Sequence, residues 1–385
     1  MPAYSRMPWR WCLAGVVALG LLHGCGGTPA PIPDPKPEPG VEGVPLVHEW
    51  SRWPAGSQGV IGFGLATAHG DGRLYVGDRR GWIRALDPRD GTTLWHRSTE
   101  WPLSAGPVVG NGLLLLGDRK GRIYALDPDS GNDLWQATLS SEVLAPPRQA
   151  RGVVVARSAD GRVFGLDAET GRRLWIFERT LPPLTLHGAG APAVAGGNAV
   201  VGLENGRLVA LRVEDGDVLW EREVQEQRGV SDLERMADIA ADPVIDRGLA
   251  LAVAYQGAVA AFRMVDGAEV WRREIPSHRG LASADEHVYV ADDDGRVWAL
   301  DRENGATAWR QDALEGLALT GPVVFGEYLV VADGAGHLNW LRRRDGAFVE
   351  RTPVSSVPIH RPPLLADGRL YVQDARGRLF AYSIR

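Results

Sequence analysis

The chain is nearly free of cysteine. Only Cys12 and Cys25 occur, both within the first 25 of 385 residues, so everything downstream folds with neither a disulfide nor a thiolate metal site. It also lacks a surplus of positive charge. A formal net charge of −6 gives no general attraction for nucleic acid, whose binding needs clustered Lys and Arg to displace counterions, and no nucleic-acid partner is expected. Nine histidines are scattered with no His-x-His and no His-Glu-x-x-His, and there is neither a Gly-x-Ser-x-Gly elbow nor a phosphate loop. No catalytic, cofactor-binding or metal-ligating residue is therefore assigned. Long apolar runs are missing too: the uncharged stretch Trp11 to Leu22 is too short for a permanent membrane span.

What the chain has in abundance is glycine (48) and tryptophan (14), and they recur in register. In Gly121 to Trp135 a Gly opens an alternating apolar run, an Asp follows, a second Gly stands ten residues after the first, and a Trp four further on. The skeleton returns at Gly81/Gly91/Trp95, Gly161/Gly171/Trp175, Gly206/Gly216/Trp220, Gly257/Gly267/Trp271 and Gly295/Gly305/Trp309. A seventh copy, Gly336/Gly346, has Glu350 in place of Trp, and an eighth begins at Gly377. A period of about 40 residues built from short alternating strands reads as a β-propeller with one four-stranded blade per copy. The expected fold is all-β, an eight-bladed propeller of four antiparallel strands per blade. The last copy stops before an outer strand. Leu46 to Trp50 is expected to supply it, with Trp50 as the docking residue, closing the ring through an N-terminal strand and removing its exposed edges. Asp292-Asp293-Asp294-Gly295 resembles a calcium loop, but it falls at the same turn as Asp118-Arg119-Lys120-Gly121 and is read as a solvated turn.

Ahead of the repeats, Arg6 and Arg10 precede the apolar run, the layout of a secretory signal peptide over residues 1–24. Leu22-His23-Gly24-Cys25 resembles the bacterial lipobox, which implies lipidation at Cys25; an ordinary signal peptide with an incidental cysteine is the alternative. Gly26 follows the cysteine where inner-membrane lipoproteins commonly carry Asp, which points to the periplasmic face of the outer membrane. Residues 25–45 carry alternate prolines from Pro29 to Pro39 and are expected to be an extended tether, leaving 46–385 for the propeller.

Spacing between the first glycines runs 40, 40, 45, 51, 38, 41 and 41. The long intervals place extra residues after Trp175 and after Trp220. The first insertion contains Leu184, Leu186 and His187. The second contains Ser231-Asp-Leu-Glu234, a capping-box pattern, followed by apolar residues at helical spacing to Ala240. A loop and a short helix, adjacent on one face, are expected, and enlarged loops on a propeller usually bind something. Arg122, Arg162, Arg207, Arg296 and Arg378 follow the first glycines and read either as a partial basic ring or as solubilising turn residues.

The repeat resembles the pyrroloquinoline-quinone propeller repeat, whose eight-bladed dehydrogenases hold a cofactor in the central funnel. Those enzymes are larger, and many of the alcohol oxidisers use an adjacent Cys-Cys pair that this chain lacks. Lipobox, tether, eight repeats and two insertions together resemble the BamB family, lipoproteins of the outer-membrane β-barrel assembly machinery. Pro183-Leu184-Thr185-Leu186-His187-Gly188 is similar to that family's Leu-x-Leu-Arg-Gly loop, and Ala237-Asp238-Ile239-Ala240 to its Asp-x-Asp segment. The resemblance implies that Leu184 and Leu186 are apolar anchors for the POTRA domains of a BamA-like central subunit. It sets His187 in the Arg position, Asp238 as the first acid and Ala240 in place of the second. A non-enzymatic scaffold without a cofactor is expected, alongside other assembly-complex subunits and with unfolded outer-membrane proteins left open as clients. A quinoprotein dehydrogenase and a propeller for another envelope protein are the alternatives.

Overall fold

In a computed structural model the described residues are 34–53, 65–180, 182, 184–185, 190–226 and 236–385, all within one unit, Asp34–Arg385. They form eight four-stranded antiparallel sheets. Blades 1 to 7 each run inner to outer in chain order and cover 68–98, 103–138, 148–177, 193–223, 244–274, 281–311 and 323–353. Blade 8 takes three strands from 364–384 and its outer strand from Leu46–Arg52, which pairs antiparallel with Leu379–Ile384. The closing strand is two residues longer than expected.

Blade 2 shows how the repeat writes this structure. Its inner hairpin turns at Asn111 (φ 48°) and Gly112 (φ 75°), a two-residue turn whose twist matches the strands on either side. The next turn is organised by Asp118, whose buried Oδ1 accepts the backbone N–H groups of Lys120 (2.8 Å) and Arg122 (2.9 Å). Asp292 does the same for Asp294 and Arg296, so the three-aspartate run is a turn of this kind. In the outer turn Asp127 accepts the N–H of Ser130 at 2.7 Å. The outer strand then slips register by a bulge at Ala125/Leu126, and every blade repeats this bulge, including the closing strand between His48 and Trp50. Bulges raise the local twist, and each precedes the residue that reaches the neighbouring blade.

That residue is the repeated tryptophan. Trp135 donates its indole N–H to the carbonyl of Ala168 in blade 3 at 2.8 Å, and its ring lies where a Cβ on Gly171 would fall 2.5 Å away. The same lock joins Trp50 to Pro88 and Gly91, Trp95 to Pro128 and Gly131, and so on round to Trp309 with Arg343 and Gly346. Gly and Trp therefore recur together because the Trp of one blade sits on the Gly of the next. The apolar core divides accordingly into eight clusters, one at each boundary between adjacent blades.

Blade 7 breaks the rule for a physical reason. Blade 8, on which that Trp would dock, takes its outer strand from Leu46–Arg52 and so has no outer turn joining it to Leu379–Ile384. Glu350 stands in the Trp position and its Oε2 accepts the Val44 N–H at 2.9 Å. Residues 34–45, expected to belong to a free tether, are consequently packed on blade 7. Glu38 exchanges backbone and side-chain hydrogen bonds with Phe348, Asp34 pairs with Arg351, and Val41 and Val44 join the cluster between blades 7 and 8. Among the described residues, packing on the propeller thus reaches back from Leu46 to Asp34.

Candidate functional site

Four antiparallel strands per blade sort the connections onto two faces. Inner hairpin turns and outer turns lie on one; the Asp118-type turns and the blade-to-blade connections lie on the other. Both enlarged connections run from blade to blade, from Phe177 to Ala193 and from Glu223 to Val244, so they share a face.

On the first of them, Leu184 is 42% exposed. Leu186 and His187 lie outside the described residues. The stem of this connection is braced by charge. Glu221 on blade 4 pairs with both Arg179 (3.1 Å) and Arg207 (2.6 Å), and Arg179 lies 4.5 Å over the Phe177 ring. Burial raises the Glu221 pKa, but hydrogen bonds from Arg207 and then Arg179 outweigh it and hold the carboxyl below its ordinary value.

The second connection departs from expectation. Ser231 to Glu234 lie outside the described residues, and Met236 to Ala240, expected to be helical, are irregular chain with Met236, Ala237 and Ile239 buried. A single surface turn would leave these apolar groups wet and its terminal backbone groups unpaired. Laid against blade 4 they are covered: the Ile239 N–H donates to Leu203 O at 3.2 Å, and its side chain lies where a Cβ on Gly202 would fall 2.3 Å away. Asp238, expected among the partner-facing residues, is 1% exposed, and its backbone carbonyl accepts the Tyr255 N–H at 3.0 Å. Ala240 is partly exposed beside it.

Asp238 is buried because it faces charge. Arg157 of blade 3, 1% exposed, pairs through Nη2 with Glu204 of blade 4 at 2.5 Å, and the Asp238 charge also acts on its guanidinium. Burial pulls the Arg157 pKa down from its ordinary value; Glu204 and then Asp238 oppose that pull. Sequence reasoning missed Arg157 and Glu204, although two signals were present. Arg157 ends a strand at a position where blades 1, 2 and 4 have Gly77, Gly117 and Gly202. And the turn aspartate found in five blades is replaced in the three consecutive blades 3, 4 and 5 by Ser158, Leu203 and Ala254.

The far ends of the two connections are tied to each other. Asp242 Oδ1 accepts the Ala191 N–H at 2.6 Å while Oδ2 lies 3.3 Å from Arg148, and Gly190 passes so close that a Cβ there would stand 2.3 Å from Ala241 O. The arrangement can present apolar side chains on a rim whose base is held by buried and half-buried charge. The arginines read as a possible ring are instead engaged one by one: Arg122 with Asp118, Arg162 with Asp160 and Glu178, Arg207 with Glu221, Arg296 with Asp294 and Glu315, and Arg378 with Ser51.

Comparison with known proteins points one way. The family model described as outer membrane protein assembly factor BamB matches residues 79–311 and 309–385. A protein of that name from Alkalilimnicola ehrlichii is 55% identical over 97% of this chain and 96% of its own, and one from Pseudomonas aeruginosa is 43% identical over 98% and 100%. Among solved structures, BamB from Moraxella catarrhalis superposes with a TM-score of 0.78 at 24% identity, covering 89% of this chain and all of that one, a likeness of fold.

Proposed function

The chain belongs to the BamB family of outer membrane protein assembly factors, and from that premise we propose that its two enlarged connections hold the POTRA region of a BamA-like central subunit. Membership makes the protein a non-enzymatic member of the assembly machinery and removes the quinoprotein dehydrogenase reading. In the finer reading, Cys25 carries the lipid that keeps the propeller on the periplasmic face of the outer membrane, because several acyl chains attach stably without a spanning helix.

The observation that carries the proposed contact is Leu184, a large apolar side chain left 42% exposed on a connection whose stem is pinned by Arg179 and Glu221. An apolar anchor on a rigid base, ringed by polar groups, is how small interface hot spots are built. Leu186 belongs to the same anchor. Asp238 acts from behind the surface: with Arg157 and Glu204 it fixes the base of the second connection. Replacing Leu184 and Leu186 together with Ser is expected to abolish co-purification of the central subunit while thermal unfolding stays near wild type, since Leu184 is exposed and belongs to no blade boundary. Undiminished co-purification of the double variant places the contact elsewhere.

A further inference from the structure

At the centre of the ring, on the face of the enlarged connections, the starts of the inner strands enclose a funnel of about 730 Å³. A cavity of this size suits a small ligand or a few side chains of a larger one. Its wall is unbalanced in charge. Arg148, Arg279 and Arg361 line it, and Asp242 is the one carboxylate among the lining residues. Asp242 is already engaged by Arg148 and by the Ala191 N–H. His69 and His278 are paired with Asp367 (3.0 Å) and Asp293 (2.6 Å).

Two cations are left. Among the described residues, Arg279, on the connection entering blade 6, bonds only through its backbone N–H, to Ser277 Oγ, and the guanidinium of Arg361, on the connection entering blade 8, has no hydrogen bond or ion pair. Arg361 is exposed at the funnel wall, where the like charge of Arg79 and the opposite charge of Asp242 both act on it. Arg361 therefore senses blade 1 beside it and blade 5 across the ring. Uncompensated positive charge between low-dielectric walls concentrates anions from solution, and a guanidinium fork matches the two oxygens of a carboxylate or phosphate.

We propose that the central funnel is an oxyanion-binding site, with Arg279 and Arg361 holding a multiply charged carboxylate or phosphate ligand. The same chemistry arrives either as a free solute or as acidic side chains of a segment that enters the funnel mouth. The site is independent of the contact made by Leu184.

Isothermal titration of the purified protein with citrate and with pyrophosphate, at constant ionic strength, tests it. Saturable one-to-one binding is expected, weakened about tenfold or more by Arg279→Gln or by Arg361→Gln, the usual consequence of losing one charged hydrogen-bond donor. Arg344→Gln, at an exposed arginine outside the funnel lining, is expected to change nothing. Neither funnel substitution strands a protein partner, so both variants should fold, and the rise in Tm that the anion gives the wild type should vanish in them. A hexaglutamate peptide that outcompetes citrate assigns the anion to an acidic protein segment; citrate or pyrophosphate binding more tightly assigns it to a solute, and either supports the site. No saturable binding by any of the three probes, or binding that both arginine variants retain, overturns the proposal.

Discussion

Trp135 shows how much one side chain carries in this architecture. It fills the boundary with blade 3, rests on Gly171 and satisfies the Ala168 carbonyl, so its contribution has an apolar and a polar part. Trp135→Ala empties the boundary and is expected to lower stability by about 3–5 kcal/mol, the usual range for a buried aromatic removed from a core. Trp135→Phe keeps most of the buried area and loses the indole hydrogen bond, worth about 1 kcal/mol. Urea unfolding of the two variants separates the parts; equal losses would mean that the hydrogen bond, not the packing, dominates. The periodic Gly and Trp were legible as turn former and wedge filler from spacing alone. That the two touch across a blade boundary was not, because the contact joins different copies. For the same reason Glu350 departs from the pattern in the sequence, while in the fold it accepts the Val44 N–H.

Single elements diverge from the repeat where the chain has been diverted to hold a connection. Blades 3, 4 and 5 give up the turn aspartate, and this part of the ring carries instead the buried Arg157–Glu204 pair, on which Asp238 also acts. Breaking such a pair on one side leaves a buried carboxylate uncompensated, which typically costs about 3–5 kcal/mol, whereas replacing both partners with apolar groups is often near neutral. Arg157→Met is expected to fall in that range, and Arg157→Met with Glu204→Leu to recover part of it, since Asp238 loses the Arg157 charge in both variants. Denaturant unfolding of the three proteins checks the order; a double variant no more stable than the single one would mean that Glu204 is indifferent to its partner. Insertion lengths announced both connections in the sequence. Over 236–240 the helical reading of the second gives way to irregular chain, because blade 4 covers the apolar surface of Met236, Ala237 and Ile239.

For the molecule as a ring, closure rests on Leu46–Arg52. Without it the edge of Leu379–Ile384 is unpaired and Trp50 no longer fills the boundary with blade 1, and open sheet edges invite pairing with other chains. A protein lacking residues 34–52 is expected to unfold at lower temperature and to elute as oligomers in size-exclusion chromatography; a monomer of unchanged Tm would mean that seven boundaries suffice. The number of blades, their strand count and the donated closing strand could all be read from the order of residues, since each follows from a period and from where that period is interrupted, and both are local properties of the chain. The burial of Asp238, the seating of residues 34–45 on blade 7 and the convergence of arginines in the funnel could not. Each depends on residues from separate blades meeting only when the ring closes, and nothing in their spacing along the chain records that distance in space.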